Sequence, residues 1–187
     1  MKKVLFFLCF LSTLIYPKVQ KRETSPLNQQ LQELSDAKKR DHGFVWCQRT
    51  EIDWAVDKNY LLLAQHLVDQ GADINQISEW GNPILTEAAF KGFLPMVQWL
   101  VEHGADINKV SAPCNSDTAL MVAAECGHWH IVEYLIKKGA DLTVVGLGGQ
   151  TFLDNVYHRA AYSGSASMSP WLKDFFQTNY PDRFSIE

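Results

Sequence analysis

The stretch Gly71-Ala72-Asp73-Ile74-Asn75 returns as Gly104-Ala105-Asp106-Ile107-Asn108 and, varied, as Gly139-Ala140-Asp141-Leu142-Thr143, at steps of 33 and then 35 residues. Self-similarity at such a period is the mark of stacked units, each too small to hide its own apolar side and so leaning on the next copy. Shifting the chain by 33 also lays Ile52 on Leu85, Ala55-Val56 on Ala88-Ala89 and Leu67 on Leu100. Shifting the second unit by 35 lays Leu85 on Leu120, Ala88-Ala89 on Ala123-Ala124, Gly92 on Gly127, Val97 on Val132 and Leu100 on Leu135. The match therefore spans whole units, with two extra residues near Ser111 to Pro113. A fourth, decayed unit opens at Gly149-Gln150-Thr151-Phe152-Leu153, with Leu153 one period after Leu120.

Inside a unit, a short segment with small residues at its centre leads to a glycine and then to apolar residues at helical spacing. Examples are Met96, Val97, Leu100 and Val101, and Ile131, Val132, Leu135 and Ile136. That predicts a helix, a tight turn and a second helix. Small residues let the first helix approach its neighbours closely. Gly71, Gly104 and Gly139 are placed to close the second helix in a left-handed conformation, and Pro95 fits the first turn of its helix, where a missing N–H costs nothing.

These residues carry a resemblance to the ankyrin repeat. Its T-P-L-H-x-A motif stands here as Thr118-Ala119-Leu120-Met121-Val122-Ala123, followed by Gly127-His128 and closed by Gly139-Ala140-Asp141. The second unit reads Pro83-Ile84-Leu85-Thr86, and the first Thr50-Glu51-Ile52-Asp53, so the family histidine is absent from the tetrapeptides. The resemblance implies an all-α solenoid of helix-turn-helix units with short turns or β-hairpin fingers, capped at both ends. Its expected bounds are a signal at 1–20, a linker and capping helix at 21–45, repeats at 46–78, 79–113 and 114–146, a degenerate capping repeat at 147–180 and a tail at 181–187. Ser25-Pro26 predicts the start of a capping helix over 26–38. Tyr162 to Ser169 reads as an insertion before a last helix opened by Ser169-Pro170.

Composition bounds the function. The 187-residue chain is 47% hydrophobic, enough for a continuous core. A net charge of −4 with scattered Lys and Arg gives no footprint for nucleic acid. Met1-Lys2-Lys3, the apolar run Val4 to Tyr16 and Pro17 together read as a cleavable secretory signal. The expected location is the periplasm or the exterior, with no membrane attachment after cleavage. Removing the signal leaves Cys47, Cys114 and Cys126, an odd set, so at least one thiol stays free or pairs between chains. Cys47 and Cys114 lie two units apart. Helix layers spaced about 8–10 Å apart put them beyond the roughly 7 Å Cα limit of a bridge.

Three features imitate chemical sites. Cys126, His128 and His130 offer metal-capable side chains, yet a closed zinc site wants four ligands, and His128 resembles the family's helix-linking histidine. Gly146-Leu147-Gly148-Gly149 lacks the lysine and the preceding strand of a phosphate loop and reads as a turn. Asp53 and Asp57 read as acids on a solvated helix. No metal, cofactor or catalytic set is expected.

Binding is expected instead on the concave face that such stacks share. The resemblance puts the variable slots at Trp46, Cys47, Arg49, Asp57 and Lys58 in the first unit, and at Glu79, Trp80, Asn82, Phe90 and Lys91 in the second. Asn115, Asp117 and Glu125 follow in the third, with Gln150, His158 and Arg159 in the last. Trp46, Trp80 and Phe90 are anchors suited to a protein partner. His66, Trp99 and Tyr134 share one place on the second helices and read as a stacking ridge. The expected function is a non-catalytic module, monomeric when free, holding a protein in its groove, for example as an immunity-type inhibitor of a toxin. The alternatives are a scaffold or protective factor for an envelope enzyme under oxidative stress, an exported host-directed effector, or a metal protein using Cys126, His128 and His130.

Overall fold

The computed structural model describes residues 25–41, 50–78, 80–111, 117–146, 149–163 and 168–182, with backbone alone at 38–41 and 160–163. The chain divides into two compact units, Met1–His42 and Gly43–Glu187. Within the first lies helix α1, Pro26–Asp41. It starts where expected, with the Asn28 N–H donating to Ser25 Oγ at 3.3 Å, and runs past the expected end at residue 38. Side-chain bonds one turn apart, Gln29 to Glu33 and Gln32 to Asp36, lie along its exposed surface.

The second unit is a run of helix pairs: α2 (Glu51–Asp57) with α3 (Leu61–Asp69), α4 (Ile84–Phe90) with α5 (Leu94–Glu102), α6 (Ala119–Cys126) with α7 (Trp129–Lys137), and α8 (Phe152–Ser163) with α9 (Pro170–Asn179). Among the described residues there is no strand, only the isolated antiparallel bridges Ile77 to Pro83 and Val145 to Thr151. The first helices stack, α4 between α2 and α6, and α6 in turn against α8. Ala55, Ala88 and Ala123 are wholly buried at that seam, where a larger side chain would hold the helices apart. Val156 takes the same place in α8 and is also wholly buried. Leu63, Met96, Val97, Leu100, Val132 and Leu135 fill the layer beneath the second helices. Tyr134 donates its hydroxyl to the Gln98 carbonyl one unit back, at 3.3 Å, while the ring of Trp99 meets that of His103, which caps the C-terminus of its own helix.

The local signals work as the residues require. Thr50 and Thr118 cap their helices, accepting from the N–H of Asp53 and Met121 at 3.4 Å each. Thr151 and Asp154 cap reciprocally, the Asp154 N–H reaching Thr151 Oγ1 at 3.3 Å and the Thr151 N–H reaching Asp154 Oδ2 at 2.8 Å. Ser169 accepts from the Leu172 N–H at 3.2 Å. Gly71, Gly104 and Gly139 stand at φ of 96, 93 and 86°, closing the second helices. The turn inside the second and third units is also left-handed, at Gly92 and Gly127; in the first unit Asn59 replaces glycine there, at φ 57°, and asparagine tolerates that region better than other L-residues.

Two expectations are corrected. Asp53 is not solvated: it is 1% exposed, because the tetrapeptide register places it, with Thr86 and Met121, in the buried column where the family carries histidine. Tyr162 and Ser163 belong to α8 rather than to an insertion, since no glycine or proline interrupts the helix before Gly164. Residues 1–20, Trp46, Cys47, Arg49, Glu79, Cys114 and Asn115 lie outside the described residues. No helix among those described is long and apolar enough to cross a membrane.

Candidate functional site

Between α3 and α4 the chain forms a finger. Ser78 N–H donates to the Asn82 carbonyl at 2.7 Å and Gly81 N–H to the Ser78 carbonyl at 2.9 Å, closing a tight turn. The finger before α8 repeats it bond for bond: Gly146 N–H to the Gln150 carbonyl at 2.8 Å and Gly149 N–H to the Gly146 carbonyl at 3.2 Å. These bonds join Gly146, Gly149 and Gln150 as a turn there would require; residues 147 and 148 lie outside the described residues. Between α5 and α6 the equivalent bond joins Ser111 N–H to the Asp117 carbonyl at 3.1 Å, and residues 112–116 lie outside the described residues.

The first finger carries Trp80, which is 71% exposed. Phe90, the last residue of α4, is 56% exposed. Between these aromatics lies a cavity of about 490 Å³, lined by Trp80, Asn82, Thr86, Glu87 and Phe90 together with Val122 and Glu125 of α6. Glu87 is only 8% exposed, and its Oε2 accepts from Asn82 Nδ2 at 3.2 Å. A second cavity of about 330 Å³ shares Glu125 and continues along Gln150, Asn155, His158 and Arg159. Asn155 is fixed by donating to the Met121 carbonyl at 3.3 Å.

Charge is unevenly spread over this face. Lys91 Nζ pairs with Asp57 at 2.5 Å, and Lys58 approaches the other Asp57 oxygen at 3.3 Å. Those three slots hold one another. Farther along, burial and then the nearby charge of Glu125 raise the Asp117 carboxyl above its ordinary value. The half-buried thiol of Cys126 is raised by the same two causes, against the opposing influence of Arg159.

The structure thus brings Trp80, Asn82, Phe90 and Glu125 around one cavity, and Glu125, Gln150, His158 and Arg159 around the next. Asp57, Lys58 and Lys91 form an ion-paired group. Glu87, Thr86 and Val122 were not anticipated from sequence. Glu87 could have been found as the residue one helical turn before Phe90 on the same face. His128 is committed elsewhere: its Nε2 lies 3.0 Å from the Phe90 carbonyl, and since a carbonyl only accepts, that nitrogen carries the proton. Among the described residues no group of three or more His, Cys, Asp or Glu side chains is gathered to hold a metal ion.

Exposed aromatic rings thus stand beside a cavity lined in part by carboxylates, on a scaffold of repeated helical hairpins. No curated protein matches the chain. A family model described as ankyrin repeats in three copies matches residues 52–145, about half of the chain. The chain belongs to the ankyrin-repeat family, and its repeats form a protein-interaction module.

Proposed function

We propose that this chain is a non-catalytic binding module of the periplasm or exterior, holding one protein partner in the concave groove formed by its fingers and first helices. The observation that carries this is the pairing of Trp80 with Phe90, both more than half exposed, across a cavity lined by residues of two units. Large aromatics displayed together on a water-exposed surface mark interaction sites, and Trp is enriched among the residues that dominate interface energy. Arg159 lines the adjoining cavity, and Lys58 and Lys91 are paired with Asp57 beside this face. The N-terminal signal read from Met1 to Pro17 supports export, and an immunity-type inhibitor of a toxin or enzyme suits a small exported binder.

Affinity capture from an envelope fraction, with the wild-type chain and Trp80→Ala as paired baits, tests this reading. A protein retained by the wild type and lost by the variant supports the groove. A partner held equally by both removes the groove from the interface, and recovery of the uncleaved chain from the cytoplasm alone removes the location.

A further inference from the structure

The cavity between Trp80 and Phe90 carries more than apolar surface. Two aromatic rings share its walls with two carboxylates, Glu87 and Glu125. Glu87 is more than nine-tenths buried, yet among the described residues its carboxylate takes one hydrogen bond, from neutral Asn82. Neither Glu87 nor Glu125 is ion-paired among the described residues. Among the described residues no cation lines this cavity: Lys91 is tied to Asp57 at 2.5 Å, and Arg159 lies along Gly127 and lines the adjoining cavity. A third carboxylate, Asp117, feels Glu125 as a like charge. An apolar guest would bury these acids without a counter-charge, which is costly. A cation with a flat face would answer both the rings and the acids.

We propose that this cavity receives an arginine side chain of the partner protein, its guanidinium lying against Trp80 and Phe90 and donating to Glu87 and Glu125. This rests on the reading of the groove as a protein-binding surface. Guanidinium suits the site better than ammonium: it is planar, stacks on aromatic rings, is more weakly hydrated and presents five donors in a fixed fork.

The test titrates the full chain with N-acetyl-arginine methylamide, reading the Trp80 indole N–H resonance by NMR, assigned with Trp80→Phe. Lysine and norleucine analogues run in parallel. The expected result is a saturable shift with arginine, a weaker response to lysine and none to norleucine. Glu87→Gln and Glu125→Gln should each weaken the arginine response about tenfold or more, as loss of one member of a close charge pair does. Glu125 is exposed, so its variant reads the interaction even if Glu87→Gln disturbs the fold. A norleucine shift equal to that of arginine, or Gln variants that respond like the wild type, overturns the proposal. A partner lost by Trp80→Ala but held undiminished by both Gln variants leaves the groove reading standing and removes the arginine. A partner held fully by Trp80→Ala removes both.

Discussion

Asn75 reaches across one repeat boundary, its side-chain oxygen accepting the backbone N–H of Asp106 at 2.8 Å while its amide donates to the Gly104 carbonyl at 3.2 Å. Asn108 repeats the first of these bonds to Asp141 at 2.8 Å. In the third copy Thr143 stands in that place, and its hydroxyl instead donates to Asp141 Oδ1 at 2.7 Å, within its own turn. The turn sequence is therefore repeated because it ties units together, and it changes where the ladder of GAD turns ends. Asn75→Ala should lower the free energy of unfolding by about 1 kcal/mol, near the usual net contribution of a hydrogen bond. Asn108→Ala should cost less, since it removes one such bond across the boundary where Asn75→Ala removes two. Urea denaturation of both variants checks the order, and equal stability of all three proteins contradicts the ladder.

Gly92 and Gly104 share a left-handed backbone, at φ 77 and 93°, but not their surroundings. A Cβ on Gly92 would stand 2.7 Å from Cε1 of His128, whereas one on Gly104 meets nothing within 4 Å. Gly104→Ala should therefore cost only the left-handed strain, about 1–2 kcal/mol. Gly92→Ala should cost more, because the imidazole must also leave the Phe90 carbonyl. Thermal unfolding gives the comparison, and a Gly92→Ala protein no less stable than Gly104→Ala refutes the contact.

Why these turns were legible and the cavity floor was not is a matter of what each residue type can do. A glycine at a fixed offset announces a positive φ, and a Thr or Ser before an apolar run announces a cap, so the helix pairs follow from local chemistry alone. Asn59 hides the same turn in the first unit behind a residue that reaches it less often. Asp53 and Glu87 were missed because an acid on a seven-residue helix ordinarily faces water. Only the packing of α2, α4 and α6 decides otherwise. The Asp57 to Lys91 pair spans a unit boundary and needs the stack itself to bring the two slots together.

Leu100 and Trp80 separate the fold from the surface. Leu100 is wholly buried in α5 and Trp80 is mostly exposed on its finger. Leu100→Ala should destabilise by roughly 2–5 kcal/mol, as buried leucine truncations do. Trp80→Ala should leave the helical signal and the urea midpoint close to those of the parent while weakening partner binding by about 2 kcal/mol or more. Circular dichroism with denaturation covers the first half and titration calorimetry the second. A Leu100→Ala protein as stable as the parent would contradict the packing.

Acid should act through Glu133 and Asp117 with opposite sign. Glu133 of α7 is held below its ordinary value chiefly by hydrogen bonds from Lys137 Nζ, at 2.5 Å, and from the Ser169 hydroxyl that opens α9. A depressed carboxylate contributes stability that is present above its unfolded value of 4.5 and is lost as pH falls through the lower folded value. Asp117 is raised above 3.8, so its folded form binds the proton more tightly, and stability declines as pH climbs from 3.8 through the raised value. The stability gap between wild type and Glu133→Gln should thus be widest near neutrality and close in acid. Asp117→Asn should gain stability relative to the wild type as pH rises from acid to pH 7. Urea midpoints of the three proteins across this range decide the matter, and pH slopes of the same sign for the two variants would exclude the assignment.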